Sequence, residues 1–203
     1  MSEASEVLRI PSTADVHDSH IARYMRWLAE AGYGRFEDYA SLYEWSIAEP
    51  DRFWASVWDW TGVIAHRDAE RVLADRSMPG ARWFPGARLN YAENLLREAI
   101  HGDPGRTAVY AVSETREPRA VTYGELLADV AAFRAWLQAQ GVGPGDRVAG
   151  VVAHAPEAIV AMLATTALGA IWSSASPDFG VNAIVDRFGQ IEPKVLVTVN
   201  GYG

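Results

Sequence analysis

The 203-residue sequence predicts an α/β protein: a helical N-terminal extension over residues 1–97, then the first part of a doubly wound, mostly parallel sheet domain over residues 98–203. Three observations predict it. Apolar and aromatic residues recur at helical spacing between Ile21 and Trp58. After Arg97, short apolar runs alternate with helical patterns, as they do where strands are joined by crossover helices. The later runs are apolar almost throughout, which suits strands covered on both faces.

The elements follow in order. Residues 1–15 are polar, carry no period and are expected to fray. From His20 to Ala31, Ile21, Tyr24, Met25 and Leu28 mark a helix that Gly32 and Gly34 end. Phe36, Tyr39, Leu42, Tyr43 and Ile47 form a second helical stripe. Pro50 opens a third helix, with Phe53, Trp54, Val57 and Trp58 on one side, and Gly62 closes it. Ala108–Val112 reads as a strand, with Arg119–Thr122 as its hairpin partner or neighbour. Thr122 and Glu125 form a Thr-x-x-Glu capping box for a helix carrying Leu126, Leu127, Val130, Phe133, Trp136 and Leu137. Gly141, Gly143-Pro144-Gly145 and Asp146 then turn the chain. A strand (148–153), a helix (156–168), a strand (170–174), a helix (181–190) and a strand (194–199) complete the pattern. The crossovers are expected to be right-handed.

Composition excludes several classes of function. There are 18 basic against 26 acidic side chains, a net charge of −8, and a single lysine, Lys194. The arginines are scattered among acids, so no basic face for nucleic acid forms. Without cysteine there is no disulfide framework, thiol nucleophile or thiolate zinc site. This fits a cytoplasmic protein, and no signal-peptide pattern opens the chain. The apolar stretch 148–172 is long enough to span a bilayer, but Pro156 and Glu157 interrupt it. A strand, a Pro-initiated helix and a second strand account for it better, so no membrane insertion is expected. Six of the eight tryptophans lie between Trp27 and Trp83. They could form an aromatic cage. Their helical spacing favours short helices that dock through large rings against a bigger body.

Residues 83–97 join an aromatic pair, a Pro-Gly turn and an amphipathic helix start: Trp-Phe-Pro-Gly-Ala-Arg-Leu-Asn-Tyr-Ala-Glu-Asn-Leu-Leu-Arg. This block resembles the N-terminal region of acyl-CoA synthetases. Further on, Thr122-Tyr123-Gly124-Glu125-Leu126, Gly145-Asp146-Arg147-Val148, Gly169-Ala170-Ile171 and Gln190-Ile191-Glu192-Pro193-Lys194 are similar to the same adenylating superfamily. With residues 39–97 the resemblance covers most of the chain. Phe53-Trp54, Met78-Pro79 and the 83–97 block point within it to the acetoacetate-activating branch rather than the acetyl-specific one.

That resemblance implies two-step chemistry. Acetoacetate attacks the α-phosphate of ATP with Mg present, giving an acyl-adenylate and pyrophosphate, and the CoA thiol then displaces AMP. The first step demands a loop that holds phosphates through backbone amides and a cation. In this family it is a Ser/Thr/Gly-rich stretch followed by Pro-Lys, and these 203 residues contain none. Thr165-Thr166 falls mid-helix with no glycine loop. The chain therefore reads as the front part of such an enzyme, inactive alone, and no catalytic residue carries over. Its rivals are a ligase for another short acyl acid and a stand-alone binding or assembly module.

One candidate contact remains. Ser176-Pro177-Asp178 follows the carboxyl end of a predicted strand, where open α/β sheets take ligands. The resemblance implies that these residues line the CoA entrance. Turn chemistry alone also explains a Pro-Asp pair before a helix. Asp178 is a poor partner for CoA phosphates, since like charges repel, and suits shaping the turn. His17, His20, His66, His101 and His154 show no metal-binding spacing. Gly141-Val142-Gly143-Pro144-Gly145 follows a helix and precedes a strand, the wrong order for a dinucleotide loop, so it reads as a connection.

Overall fold

The computed structural model describes residues 8–114 and 116–201, which form two compact units divided between Arg88 and Leu89. In the first unit, residues 1–7 of the stretch expected to fray lie outside the described residues. Thr13–His17 departs from that expectation by forming a short helix, α1. Ser12 caps it: its Oγ accepts the Asp15 N–H at 3.1 Å, and the Asp15 carboxylate accepts the Ser12 N–H at 3.0 Å. This is a capping box with Asp in place of Glu, on a helix too short to carry an apolar period.

Helices α2 (His20–Glu30), α3 (Tyr39–Ala48) and α4 (Pro50–Thr61) then bury Tyr24, Leu28, Leu42 and Trp45 together, with Trp27, Tyr33, Phe36, Phe53 and Val57 packed around them. The single stripe predicted on α3 is corrected. Leu42 and Trp45 face the core, while Tyr39, Tyr43 and Ile47, at i, i+4 and i+8, are exposed. The helix is apolar on both sides, so its neighbours decide which side is buried: Trp45 meets Phe36 at 4.9 Å and Phe53 at 5.9 Å. Inside this core Tyr24 Oη and the fully buried Ser56 Oγ share a hydrogen bond of 2.5 Å, and Ser56 also donates to the Phe53 carbonyl. Each buried hydroxyl therefore has a partner.

Gly62, at φ +59°, ends α4 in the left-handed conformation that an L side chain rarely adopts. A hairpin of β1 (Leu73–Asp75) and β2 (Arg82–Trp83) follows, absent from the sequence reading. Phe84 N–H donates to the Val72 carbonyl at 2.7 Å, and Glu70 N–H donates to that of Pro85 at 3.0 Å. The tryptophans pack on neighbours within this unit. Trp58 stacks on Phe84 with centroids 4.6 Å apart, and Trp54 meets Trp83 edge-on at 6.0 Å. Trp58 and Phe84 thus cover one face of each other.

The second unit opens with α5 (Tyr91–His101), which packs on later helices of this unit. Its cap, Asn90, works in two directions: Oδ1 accepts the Glu93 N–H at 3.2 Å, and Nδ2 donates to the Thr166 carbonyl at 3.0 Å. Strands β3 (Thr107–Ala111) and β4 (Arg119–Thr122) pair antiparallel, so they are hairpin partners. Helix α6 (Tyr123–Ala139) starts on the predicted box, with Thr122 N–H to Glu125 Oε2 at 2.8 Å and Glu125 N–H to Thr122 Oγ1 at 3.2 Å. The Thr122 backbone N–H first, then the Thr122 hydroxyl, which donates to the same Oε2 at 3.0 Å, holds the Glu125 carboxyl below its ordinary range.

The remainder is the alternating core: β5 (Arg147–Val151), α7 (Pro156–Ala167), β6 (Ile171–Ala175), α8 (Val181–Gly189) and β7 (Val195–Thr198). The three strands are parallel in the order β6-β5-β7. From β5 the chain moves to one side, then crosses β5 to its other side, which is the reversal that begins a doubly wound sheet. Side chains alternate between faces. Val148, Trp172, Val195 and Val197 join the main core with Leu126, Val130, Leu137 and Leu163. Ile171 and Leu196, on the opposite face, stay exposed. The stretch 148–172 is thus divided among β5, α7 and β6. No helix among the described residues is long and apolar enough to cross a membrane.

Candidate functional site

The carboxyl ends of β5 and β6 lie side by side. Val151 pairs with Ala175, and the Val152 N–H still donates to the Ala175 carbonyl at 3.3 Å beyond the strand end. Ser176, Pro177 and Asp178 leave this edge at once, so the fold brings the three predicted residues together between a strand end and a helix start. Ser176 and Pro177 are half-buried and Asp178 is exposed.

Polar groups within the turn bond one another. Ser176 Oγ donates to Asp178 Oδ2 at 2.8 Å and accepts the Asp178 N–H at 3.2 Å. The Phe179 N–H donates to the Ser176 carbonyl at 3.2 Å, closing a four-residue turn with Pro177 at its second position. The Asp178 carboxylate thus engages the Ser176 hydroxyl, as a residue that shapes the turn does. Gly180 then caps α8 without a side-chain hydrogen bond.

One contact here was not legible in the sequence. The Arg187 guanidinium sits over the Phe179 ring, 4.6 Å from its centroid. The signal available was a spacing of two helical turns between an aromatic residue before a helix and a cation in its last turn, which is too common to single out. At the other candidate positions the structure is plain. Thr165 Oγ1 donates to the Ala161 carbonyl at 2.7 Å and Thr166 Oγ1 to that of Met162 at 2.9 Å, so both hydroxyls bond inside α7. Gly141 to Gly145 forms the connection from α6 to β5, with Gly143 N–H donating to Asp146 Oδ2 at 2.8 Å. His17 Nδ1 lies 2.8 Å from Asp18, and no group of three His, Asp or Glu side chains among the described residues is placed to hold a metal.

The chain compares closely with known proteins. A family model described as AMP-binding enzyme matches residues 96–202, and one described as acetyl-coenzyme A synthetase N-terminus matches residues 39–95. The acetoacetyl-coenzyme A synthetase of Rhizobium meliloti is 41% identical over 200 residues, covering 98% of this chain and 30% of that protein. The acetoacetyl-CoA synthetase of Danio rerio is 46% identical over 165 residues, covering 80% of this chain and 24% of that protein. A solved structure, the acetoacetyl-CoA synthetase from Streptomyces lividans, superposes with a TM-score of 0.89 at 47% identity, over 95% of this chain and 30% of that one. The chain therefore spans about 30% of the length of the Rhizobium meliloti relative. With parallel strands, crossover helices and a family model spanning residues 96–202, the chain belongs to the AMP-binding enzyme family.

Proposed function

We propose that the whole protein is an acid–thiol ligase that makes acetoacetyl-CoA from acetoacetate, ATP and CoA. The observation that carries this reading is identity of 41–47% to acetoacetyl-CoA synthetases over nearly the whole chain, joined to a TM-score of 0.89. An acetoacetate carboxylate oxygen attacks the α-phosphorus of ATP and pyrophosphate leaves. The CoA sulfur then attacks the acyl carbonyl, the thiol proton is lost and AMP departs. Magnesium supplies charge neutralisation at the phosphates in such chemistry. The described residues include no cluster that fits the ion, so no step is derived through it. The extension is proposed to run to residue 97 and the adenylation domain to begin at 98, which the meeting of the two family models at 95 and 96 supports. A cytoplasmic setting suits these substrates.

Within this reading Ser176, Pro177 and Asp178 border the path by which CoA reaches the acyl-adenylate. Their position beyond the carboxyl end of β6, at the edge where open α/β sheets take ligands, supports it. Ser176→Trp in the whole protein tests it. ATP–pyrophosphate exchange without CoA should stay near wild type, while the CoA KM rises about tenfold, the equivalent of roughly 1.4 kcal/mol of obstructed binding. Loss in both rates together would mark a folding defect, and no loss in either would remove the turn from the site.

A further inference from the structure

We propose that His154 is a further catalytic residue: the base that takes the thiol proton of CoA as the sulfur attacks the acyl-adenylate. This inference deepens the ligase reading above and rests on it.

Thioester formation releases one proton. The C–S bond forms, the bond from the acyl carbon to the phosphate oxygen breaks, and AMP leaves with that bond's electron pair. The thiol proton needs an acceptor near the path that CoA takes, and the fold puts a histidine there. The Val152 N–H donates to the Ala175 carbonyl at 3.3 Å, so Val152 lies against the peptide that leads into Ser176. His154 follows two residues later, a reach of no more than about 7 Å of chain. Between Val151 and Pro156 it alone is exposed, its neighbours being half-buried. Its loop is short and held at both ends. Val151 pairs with Ala175 on one side and Thr198 on the other. Pro156 starts α7, and Glu157 in the next position pairs with Arg116 at 2.9 Å. The imidazole therefore stands at the same edge as the Ser176 turn, on a loop positioned by a rigid scaffold.

The chemistry of the neighbouring groups singles it out. The charged side chains on the adjoining elements are Glu157 on α7, Arg116 on the loop from β3 to β4, Asp178 in the turn and Arg187 on α8. A carboxylate holds a proton too weakly to take one from a thiol near neutral pH, and a guanidinium has no free site for one. Imidazole is the side chain that accepts and releases a proton in that range.

His154→Gln in the whole protein tests it, with the acyl-adenylate formed first and CoA added in a single turnover. Transfer to CoA should slow about 100-fold, as removal of a general base does. ATP–pyrophosphate exchange without CoA should stay near wild type. In the wild type, transfer should quicken as pH rises through neutrality. In His154→Gln that rise should vanish, and transfer should recover only as the thiol itself ionises, at about pH 8.5. Added imidazole should restore part of the rate in His154→Ala. Transfer at the wild-type rate in His154→Gln would overturn the proposal, as would an unchanged pH profile. Equal slowing of exchange and transfer would overturn it too, since it marks a structural role. The ligase reading fails separately, if the unaltered whole protein forms no acetoacetyl-CoA.

Discussion

At the scale of one residue, Gly150 shows how tightly the centre of the sheet is fitted. It lies in the middle strand, and a Cβ built on it would stand 2.4 Å from Trp172 Cη2 and 2.6 Å from Cζ2. The glycine exists so that the indole of the neighbouring strand can cross over it. Strand β5 is bonded on both sides, to β6 and to β7, so its backbone has no room to retreat. The large ring must move instead, and Trp172 is packed against the main core. Gly150→Ala should destabilise the fold by about 1–3 kcal/mol, the usual cost of overfilling a packed interior. The urea midpoint reads it. An unchanged midpoint would show that the indole swings aside freely and that the strand is less confined than the geometry implies.

At the scale of elements, the turn before β5 and the start of β7 are tied by charge. Lys194 Nζ donates to Asp146 Oδ2 at 2.7 Å and to the Gly141 carbonyl at 3.1 Å. The Lys194 hydrogen bond first, then the Gly143 N–H, holds the Asp146 carboxyl below its ordinary value of 3.8. A carboxyl depressed in the folded state stabilises the protein above that value and loses the contribution as pH falls through the folded pKa. Asp146→Asn should therefore unfold at lower urea than wild type at pH 7, and the gap should narrow below pH 3.8. A gap that stays constant from neutral to acid pH would rule out this carboxylate as its origin. Neither partner was singled out for this role in the sequence, because the link joins residues 48 apart. Near-neighbour signals fared better. The Thr122/Glu125 box and Pro50 and Pro156 at helix starts are local in the chain, and the structure places each where the pattern puts it. The β1–β2 hairpin was illegible because its strands span three and two residues, too few to alternate. The turn at Ser176 was legible as a turn after a strand, whereas the contact of Arg187 with the Phe179 ring depends on a side-chain direction that spacing alone does not give.

At the scale of the whole molecule, the described residues form a well-packed portion of the AMP-binding enzyme fold. The strand order β6-β5-β7 builds the sheet reversal, and the core around Val148, Leu137 and Leu163 closes over one face of it. Acyl-adenylate formation needs more than this scaffold. It needs amides and a cation preorganised around the phosphates, where charge develops as pyrophosphate leaves. The hydroxyl pair that might be mistaken for part of such a loop, Thr165 and Thr166, donates to carbonyls one turn back in α7. The single lysine, Lys194, donates to Asp146 and Gly141 at the amino ends of the strands, away from the carboxyl edge where the Ser176 turn lies. The purified 203-residue chain should therefore fold yet show no acetoacetate-dependent ATP–pyrophosphate exchange. Circular dichroism and a cooperative unfolding transition would establish folding, and labelled pyrophosphate would follow exchange. Exchange clearly above a protein-free control, from material verified by mass and free of longer ligases, would mean that these residues bind and activate ATP by groups not recognised in the fold. Silence from a folded chain, beside activity in the whole protein, would place the adenylation chemistry in the segments that the longer relatives carry in addition.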